Sequence, residues 1–206
     1  MTSMKGREIY AALKKELTNT PVGIAVNEIV EGNSLLIKTV PRNLARQFSS
    51  YAQKMQMAGV RPEQIAAEMQ KKAPQLAGYQ VRRIARTESA KASTALIQAR
   101  CESLGCDWYV WRTCMDERVR GYPQGGHYKM EGVICRWSDP PNPEALFPYK
   151  GGKSAGSYHP GGIYNCRCIA LPVVALEDIS FPCRVHVHGK IVHIGSLNEF
   201  KKVAFA

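Results

Sequence analysis

The residues best suited to chemistry are one histidine and several cysteines in the second half of the chain. His127, Cys135, Cys166 and Cys168 supply nitrogen and sulfur donors, and structural zinc is held by four such donors in a tetrahedron. If Cys166 and Cys168 lie on a strand, their thiols point to the same face. These four residues are therefore candidate zinc ligands, and buried free thiols are the alternative interpretation. Because the cysteines number seven and no export signal precedes them, a disulfide framework is the poorer explanation.

A first charged cluster contains Arg86 and Glu88 on a predicted helix. Ile84 and Glu88 are one helical turn apart and share a face. Glu88 is thus placed to neutralise an arginine of another element, such as Arg112 or Arg118. The alternative is a solvated, charged helix face.

A second charged cluster, Asp116 with Arg118, follows directly after a predicted aromatic strand. An aspartate there can organise a turn by accepting backbone N–H groups, while an arginine forks to a carboxylate. A catalytic acid is the alternative. We favour the structural role, because no second carboxylate or nucleophile stands at a suggestive spacing.

Three further histidines, His186, His188 and His193, lie near the end of the chain. His186 and His188 alternate onto one face of a predicted strand, and His193 on the return strand is placed to join them. A metal-binding or pH-sensing patch is one interpretation. We favour the half-exposed polar face of a hairpin, and the role of the three rings stays open.

The common catalytic signatures are absent from the sequence. It has no phosphate loop, no dinucleotide fingerprint, no HExxH and no GxSxG. A nucleophilic pair of a cysteine and His127 would need a third, orienting group, which the sequence does not identify. We therefore expect a protein that is not an enzyme, with no catalytic residue.

Hydrophobic periodicity predicts the elements that must position these residues. Between the elements, residues 120–165 are rich in glycine and proline. A loop region of that length needs a function, a partner or a metal to order it. We predict helices over 4–17, 41–59, 62–74 and 80–103, a β-hairpin over 22–30 and 34–40, strands over 108–113 and 133–137, and a second hairpin over 184–194.

This order of elements predicts an α+β fold. A helical N-terminal region with a β-hairpin would precede a compact C-terminal domain, in which a long helix packs on a small, mostly antiparallel sheet with long Gly/Pro-rich loops. We expect a basic docking region over residues 1–79, the α+β domain over 80–176 and a C-terminal hairpin extension over 177–206.

Charge is distributed unevenly along the 206 residues, whose formal net charge is +11. Residues 1–100 hold 16 basic and 7 acidic side chains, whereas residues 101–206 hold 12 and 10. A basic N-terminal half suits a polyanionic neighbour, such as nucleic acid or an acidic protein surface. The longest apolar run, residues 169–176, is too short to cross a bilayer. Residues 1–17 lack the apolar core of a signal peptide, so we expect no membrane partner.

Residues 84–173 resemble the phage Mu F-like head morphogenesis domain of minor head proteins from tailed phages. The resemblance implies a structural framework of Arg86, Glu88, Trp111, Asp116, Arg118 and Gly132, together with His127, Cys166 and Cys168. The motifs that carry it occur in order: Ile84-Ala85-Arg86-Thr87-Glu88, Trp111-Arg112-Thr113, Asp116-Glu117-Arg118-Val119-Arg120, His127, Met130-Glu131-Gly132-Val133, Asn165-Cys166-Arg167-Cys168 and Pro172.

Membership of that family implies a structural virion protein that acts in capsid assembly, head morphogenesis and the handling of packaged DNA. The implied partners are the portal protein, a major capsid or scaffold protein and packaged double-stranded DNA. The implied location is the head interior near the portal, with the host cytoplasm during assembly. Two alternatives remain: a zinc-dependent hydrolase or nuclease-like effector that uses His127, Asp116 and the thiols, and a non-specific DNA-binding module. Zinc is the one cofactor that the residues suggest.

Overall fold

The computed structural model describes residues 15–16, 20–34 and 40–204, with the backbone alone for residues 28–34. The chain divides into two compact units, Met1–Ser103 and Leu104–Ala206, and each is described by itself. The expected segments 1–79, 80–176 and 177–206 stay predictions. The helix predicted over residues 4–17 lies outside the described residues, except for residues 15–16, which are helical.

The described part of the first unit is helical. Three of its helices match the predicted ones, because apolar residues recur at three- and four-residue spacing through this part of the sequence. The longest one carries Arg86 and Glu88. The helices are α1 (Pro21–Ser34), α2 (Arg42–Met57), α3 (Pro62–Lys72) and α4 (Gly78–Leu104).

The predicted N-terminal hairpin is wrong, because its first strand and its turn lie within α1. The β-branched residues that suggested a strand serve instead as packing residues on a helix. Val26 is fully buried against Ala95 and Ala99 of α4, with Val22 beside it. Tertiary packing here overrides a β propensity that is worth at most about 1 kcal/mol per residue. The second strand of that hairpin falls mostly on residues 35–39, outside the described residues.

A second apolar cluster joins α2, α3 and α4. Phe48, Ile65 and Met69 are at most 1% exposed and pack with Val81 and Ile84. These side chains repeat at helical spacing on each helix, so the same pattern that predicted the helices also predicted their inner faces. The first unit is therefore a helical layer with its own core.

The second unit is built on a five-stranded sheet. Its order is β3-β1-β2-β4-β5, with β2 and β4 parallel and the other neighbours antiparallel. The predicted aromatic strand, the strand near residue 133 and the C-terminal hairpin are confirmed, and the mixed α+β class is confirmed with them. The strands are β1 (Trp108–Arg112), β2 (Val133–Arg136), β3 (Ile169–Pro172), β4 (Cys183–Val187) and β5 (Lys190–Ile194).

Alternation along β1 sends its aromatic side chains to the two faces of the sheet. Trp108 packs in a core with Phe200, at a ring distance of 5.1 Å, and with Val185. Tyr109 and Trp111 point to the other face, toward the Gly/Pro-rich loops. One strand thus supplies an ordinary core on one side and the floor of a site on the other.

Several elements of the second unit were not predicted. Strand β3 begins one residue after Cys168, so the Cys166–Cys168 segment lies in a loop and the strand predicted for it is wrong. The helix that carries Phe200 has a clear apolar face but is only eight residues long. The unpredicted helices are α5 (Gly126–Lys129), α6 (Pro143–Leu146) and α7 (Leu197–Ala204).

None of the described helices is long and apolar enough to cross a membrane.

Candidate metal centre

The second unit brings together three of the four predicted zinc ligands. Nδ1 of His127 lies 3.5 Å from Sγ of Cys166 and 3.4 Å from Sγ of Cys168. The three donor atoms all lie within 4.8 Å of one another, and all three residues are buried. Loop residues more than thirty positions apart in sequence thus form one nitrogen–sulfur cluster.

Cys135 lies apart from this group, and its predicted role as a fourth ligand is not what the structure shows. It is fully buried on β2, and its thiol contacts the carbonyl oxygen of Val133 at 3.8 Å. Burial raises the pKa of the Cys135 thiol, which suits a neutral core residue. Its side chain is on the sheet face that carries Tyr109, and its sulfur is not one of the three grouped donor atoms.

Tight turns hold His127 in place. Its short helix α5 follows Gly121, whose φ of +82° excludes most side chains. A Cβ at Gly121 would lie 2.3 Å from the carbonyl oxygen of Gly125. The backbone N–H of Gly126 donates to the carbonyl of Phe147 at 2.6 Å, so the loop before His127 is fixed at both ends.

A buried hydrogen-bond chain orients the His127 ring. The hydroxyl of Tyr158 donates to the carboxylate of Glu144, at 2.8 and 2.7 Å from its two oxygens. Because that hydroxyl has one proton, its oxygen must accept from Nε2–H of His127, 2.8 Å away. The ring therefore carries its proton on Nε2, and Nδ1 presents a free lone pair to the two sulfurs. Trp111 packs edge-on against the ring at 5.3 Å.

This arrangement fits a zinc ion on the chemistry of its donors. A metal needs a deprotonated ring nitrogen and thiolates, and the Tyr158–Glu144 chain leaves Nδ1 bare. Metal-bound histidines commonly donate their other N–H in just this manner. His127, Cys166 and Cys168 would hold the ion, which would tie helix α5 to the loop before β3. Zinc would supply cross-linking of the loops, or Lewis acidity where a coordination position stays open.

The two thiols are hydrogen-bonded to each other, and this contact shifts their pKa values in opposite directions. The hydrogen bond from Cys168 lowers the pKa of Cys166 well below its ordinary value. The same hydrogen bond, together with burial, raises the pKa of Cys168. The backbone N–H of Gly161 also donates to the Cys166 sulfur at 3.4 Å. One sulfur of the pair is thus prepared to carry negative charge.

Asp116 holds the cysteine loop through Arg167, a partner that the sequence analysis did not name. Both guanidinium nitrogens of Arg167 donate to its carboxylate, at 2.7 and 2.5 Å. The backbone N–H of Arg118 donates to the same carboxylate at 3.0 Å, so the turn was predicted and the forked partner was not. Hydrogen bonding to Arg167 lowers the pKa of Asp116. The pair sets Arg167, and with it both neighbouring cysteines, against the turn after β1.

The other framework residues of the second unit brace the same loops. Trp111 is fully buried, and its carbonyl accepts from the backbone N–H of Gly132 at 2.8 Å. Gly132 has a φ of +75°, so the turn into β2 favours glycine. Arg112 pairs with Glu131 at 3.0 Å, and not with Glu88.

Glu88 belongs to the first unit and is not part of a solvated helix face. It is 3% exposed. Its carboxylate accepts from Ser49 at 2.5 Å and pairs with Lys91 at 3.0 Å. Arg86 is half-buried on the same helix. A lysine of its own helix thus pairs with Glu88, whereas the prediction named Arg112 or Arg118 of another element.

The three C-terminal histidines do not form one patch. His186 is 1% exposed, and its Nδ1 lies 3.5 Å from Asp139. His188 sits at the hairpin turn and is exposed, and His193 is exposed on β5 opposite Arg184. Burial lowers the pKa of His186. The half-exposed polar face that we favoured therefore holds for two of the three rings.

Tyr158 and Glu144 are the site residues that sequence reasoning missed. Each stands alone in a Gly/Pro-rich stretch with no spacing that links it to His127. A weak signal was available for Glu144: Asn142-Pro143 reads as a helix start, and the Asn142 side chain accepts from the N–H of Ala145 at 3.2 Å. No comparable signal marks Tyr158.

Replacing Tyr158 with phenylalanine tests the buried chain. The Glu144 carboxylate would keep its burial and lose its hydroxyl donor, so the free energy of unfolding should fall by about 1–3 kcal/mol. Zinc affinity should fall about 10- to 100-fold, as for other residues behind a metal ligand. Chemical denaturation and zinc titration measure the two effects. Tyr122→Phe, at an exposed ring, is the matched control, and equal behaviour of the two variants would contradict the role of the chain.

His159, next to Tyr158 in sequence, predicts acid sensitivity. Burial lowers its pKa to about 4 from 6.5, and its Nδ1 accepts from the Tyr109 hydroxyl at 3.0 Å. The folded state disfavours the charged form of the His159 ring. The neutral ring's contribution to the free energy of unfolding is therefore fully present above pH 6.5 and is lost as the pH falls toward 4. We expect a loss of about 2 kcal/mol over that range. The pH dependence of unfolding should flatten in His159→Phe and not in His193→Phe; equal slopes would refute the assignment.

Comparison with known families places the site within a matched region. Residues 49–171 match the family described as Phage Mu protein F like protein, which is more than half of the chain. A Haemophilus influenzae protein, described as an uncharacterized protein, is 30% identical over 163 residues, covering 79% of this chain and 32% of the relative. The chain thus spans about a third of that relative's length. No solved structure matches the chain.

Proposed function

This chain belongs to the Phage Mu F-like family of phage head-morphogenesis proteins, and on that premise we propose that it is a structural minor head protein bound at the portal on the inner side of the capsid. The observation that carries the proposal is the family match over residues 49–171. That match includes the whole nitrogen–sulfur cluster and its Tyr158–Glu144 support. A virion protein must keep one shape against packed DNA, and a cross-linked loop region serves that need.

The proposed partners are the portal protein, a major capsid or scaffold protein and packaged double-stranded DNA. The excess of nine positive charges in residues 1–100 supports contact with an acidic protein surface or with phosphates. Such contacts are sequence-independent and weaken with salt. The proposed location is the head interior near the portal, with the host cytoplasm during assembly.

We assign the cluster a structural and not a catalytic role. Both ring nitrogens of His127 are already engaged, Nε2 with Tyr158 and Nδ1 with the sulfurs. A general base needs a nitrogen within reach of a substrate proton. Cys166 is 5% exposed, so its sulfur is poorly placed for attack on a bound molecule.

The test is to purify virions and locate this polypeptide by cross-linking mass spectrometry. Cross-links to the portal protein, and few copies per particle, are the expected result. Absence of the polypeptide from both mature particles and assembly intermediates would refute the proposal. Cross-links only to the outer capsid surface would refute the location.

A zinc-dependent hydrolase is the rival, and one observation favours it: three protein ligands leave a fourth coordination position open, as catalytic zinc sites do. The residues that line the cavity in front of the cluster disfavour a hydrolase. None of the described residues that line it is acidic, whereas zinc hydrolases commonly use a glutamate as general base. The His127→Ala variant separates the two. The rival predicts lost turnover in a folded protein, and the structural role predicts impaired folding or assembly with no turnover to lose.

A further inference from the structure

A cavity of about 360 Å³ opens in front of the nitrogen–sulfur cluster. Three arginines line it, Arg118, Arg120 and Arg167, together with the rings of Tyr149 and Tyr164. None of its described lining residues is aspartate or glutamate. The walls thus offer cationic and hydroxyl donors to whatever enters.

The three arginines are not equivalent. Arg167 is neutralised by the forked pair with Asp116. Arg120 donates one N–H to the carbonyl of Tyr164 at 3.1 Å and lies over that ring at 4.4 Å. A guanidinium has five N–H donors, so this contact orients Arg120 and leaves donors for a ligand.

Arg118 completes the positive wall. Its backbone N–H donates a hydrogen bond to the Asp116 carboxylate, while its side chain is exposed and lines the cavity. Among the residues whose side chains the structure describes, no ion pair within 4 Å joins a carboxylate to the guanidinium of Arg118 or of Arg120. The cavity therefore has two cationic groups without an ion-pair partner among the described residues.

We propose that this cavity binds one phosphate group, as a free anion or as the phosphate of a polynucleotide, through Arg118 and Arg120. The planar forks of arginine match the oxygens of phosphate, and such charge-assisted hydrogen bonds are among the strongest in proteins. The volume suits a single phosphate group or a single nucleotide, at the lower end of ordinary ligand pockets. Tyr164, 61% exposed, offers a ring on which a base can stack.

This inference deepens the proposed handling of DNA and rests on it for the choice of ligand, but its test needs no virion. Purified protein is titrated with inorganic phosphate, and separately with a short single-stranded DNA that carries a 5′-phosphate and with its unphosphorylated twin. Binding is followed by calorimetry at two salt concentrations. Saturable 1:1 phosphate binding that weakens with salt is the expected result.

Arg118→Gln should weaken phosphate binding about tenfold, since it removes one charged hydrogen bond. Lys190→Gln removes an equal charge from an exposed position on β5 and should leave the affinity unchanged. Thermal melting checks that both variants fold. We expect Arg118→Gln to fold, because the Arg118 side chain is exposed. Competition between phosphate and the phosphorylated DNA would identify a polynucleotide source, and binding of phosphate alone would identify the free anion.

The proposal fails if the protein binds no phosphate at millimolar concentration, or if Arg118→Gln and Lys190→Gln bind it equally. Phosphate binding in a protein that never reaches the virion would support the cavity and refute the head-protein role. A virion protein that binds no phosphate would support the head-protein role and refute the phosphate site. The two failures can therefore be told apart.

Discussion

Zinc should stabilise this protein against unfolding, and substituting Cys168 with serine should abolish that effect. The wild type presents one lone pair and two sulfurs, all buried within 4.8 Å of one another. A ligand that binds only the folded state at a hundred times its Kd raises the free energy of unfolding by about 2.7 kcal/mol, and by about 4 kcal/mol at a thousand times. Without the Cys168 thiolate the ion loses a third of its protein donors.

The measurement is thermal unfolding with and without added zinc, combined with metal analysis of the purified protein. Wild type should bind one zinc ion per chain and melt at a higher temperature when zinc is present. Cys168→Ser should show neither effect. Cys183→Ser, at a half-buried thiol on β4, is the matched control and should respond as wild type does.

Cys135→Ala tests whether Cys135 is a zinc ligand. The structure places this thiol with Val133 and outside the cluster, so the zinc response should survive although the core loses some packing. Loss of zinc in Cys135→Ala would restore the sequence-based assignment of a fourth ligand. A wild type that binds no zinc would overturn the metal centre itself.

Glu88→Ala should lower the free energy of unfolding by about 3–5 kcal/mol. The Glu88 and Lys91 side chains are 2% and 5% exposed and lie 3.0 Å apart. Removal of the carboxylate takes from the buried Lys91 ammonium the anion that lies 3.0 Å away, and Ser49 loses its acceptor. Breaking a buried pair is costly because the remaining charge cannot regain its hydration.

The first unit contains a control of the same spacing. Glu68 and Lys71 also form an i,i+3 pair, at 2.6 Å, but their side chains are 49% and 71% exposed. Glu68→Ala should cost less than about 1 kcal/mol, as exposed pairs do. Chemical denaturation of both variants compares them directly, and a cost for Glu88→Ala no larger than that for Glu68→Ala would show that burial of the pair contributes little.

A double variant separates charge from packing. Glu88→Leu combined with Lys91→Met replaces the pair by apolar side chains of similar volume. Buried ion pairs can be exchanged in this way at little cost or with a gain. We therefore expect the double variant to be more stable than Glu88→Ala. The opposite order would indicate that further contacts of these residues depend on their charge.

Periodic elements were predictable from the sequence. Phe48 and its neighbours at helical spacing predicted α2 and its inner face, and alternation from Trp108 to Arg112 predicted β1 and the two directions of its rings. The α1 helix was not predictable in this manner. Its β-branched residues favour a strand locally, whereas the helix is stabilised by tertiary packing, in which Val26 lies against the small side chains Ala95 and Ala99 of another helix.

The chemistry divides along the same line. Residue types were enough to name four donors that could meet a metal, His127, Cys135, Cys166 and Cys168, because nitrogen and sulfur chemistry belongs to residue type. Only the tertiary structure shows that Cys135 lies outside the cluster and that Arg167 forks to Asp116. It also shows that the Tyr158 hydroxyl links Glu144 to the histidine ring by hydrogen bonds. The physical reason is that hydrogen bonds and ion pairs act over about 3 Å in space, whereas these partners are separated by 14 to 51 positions along the chain.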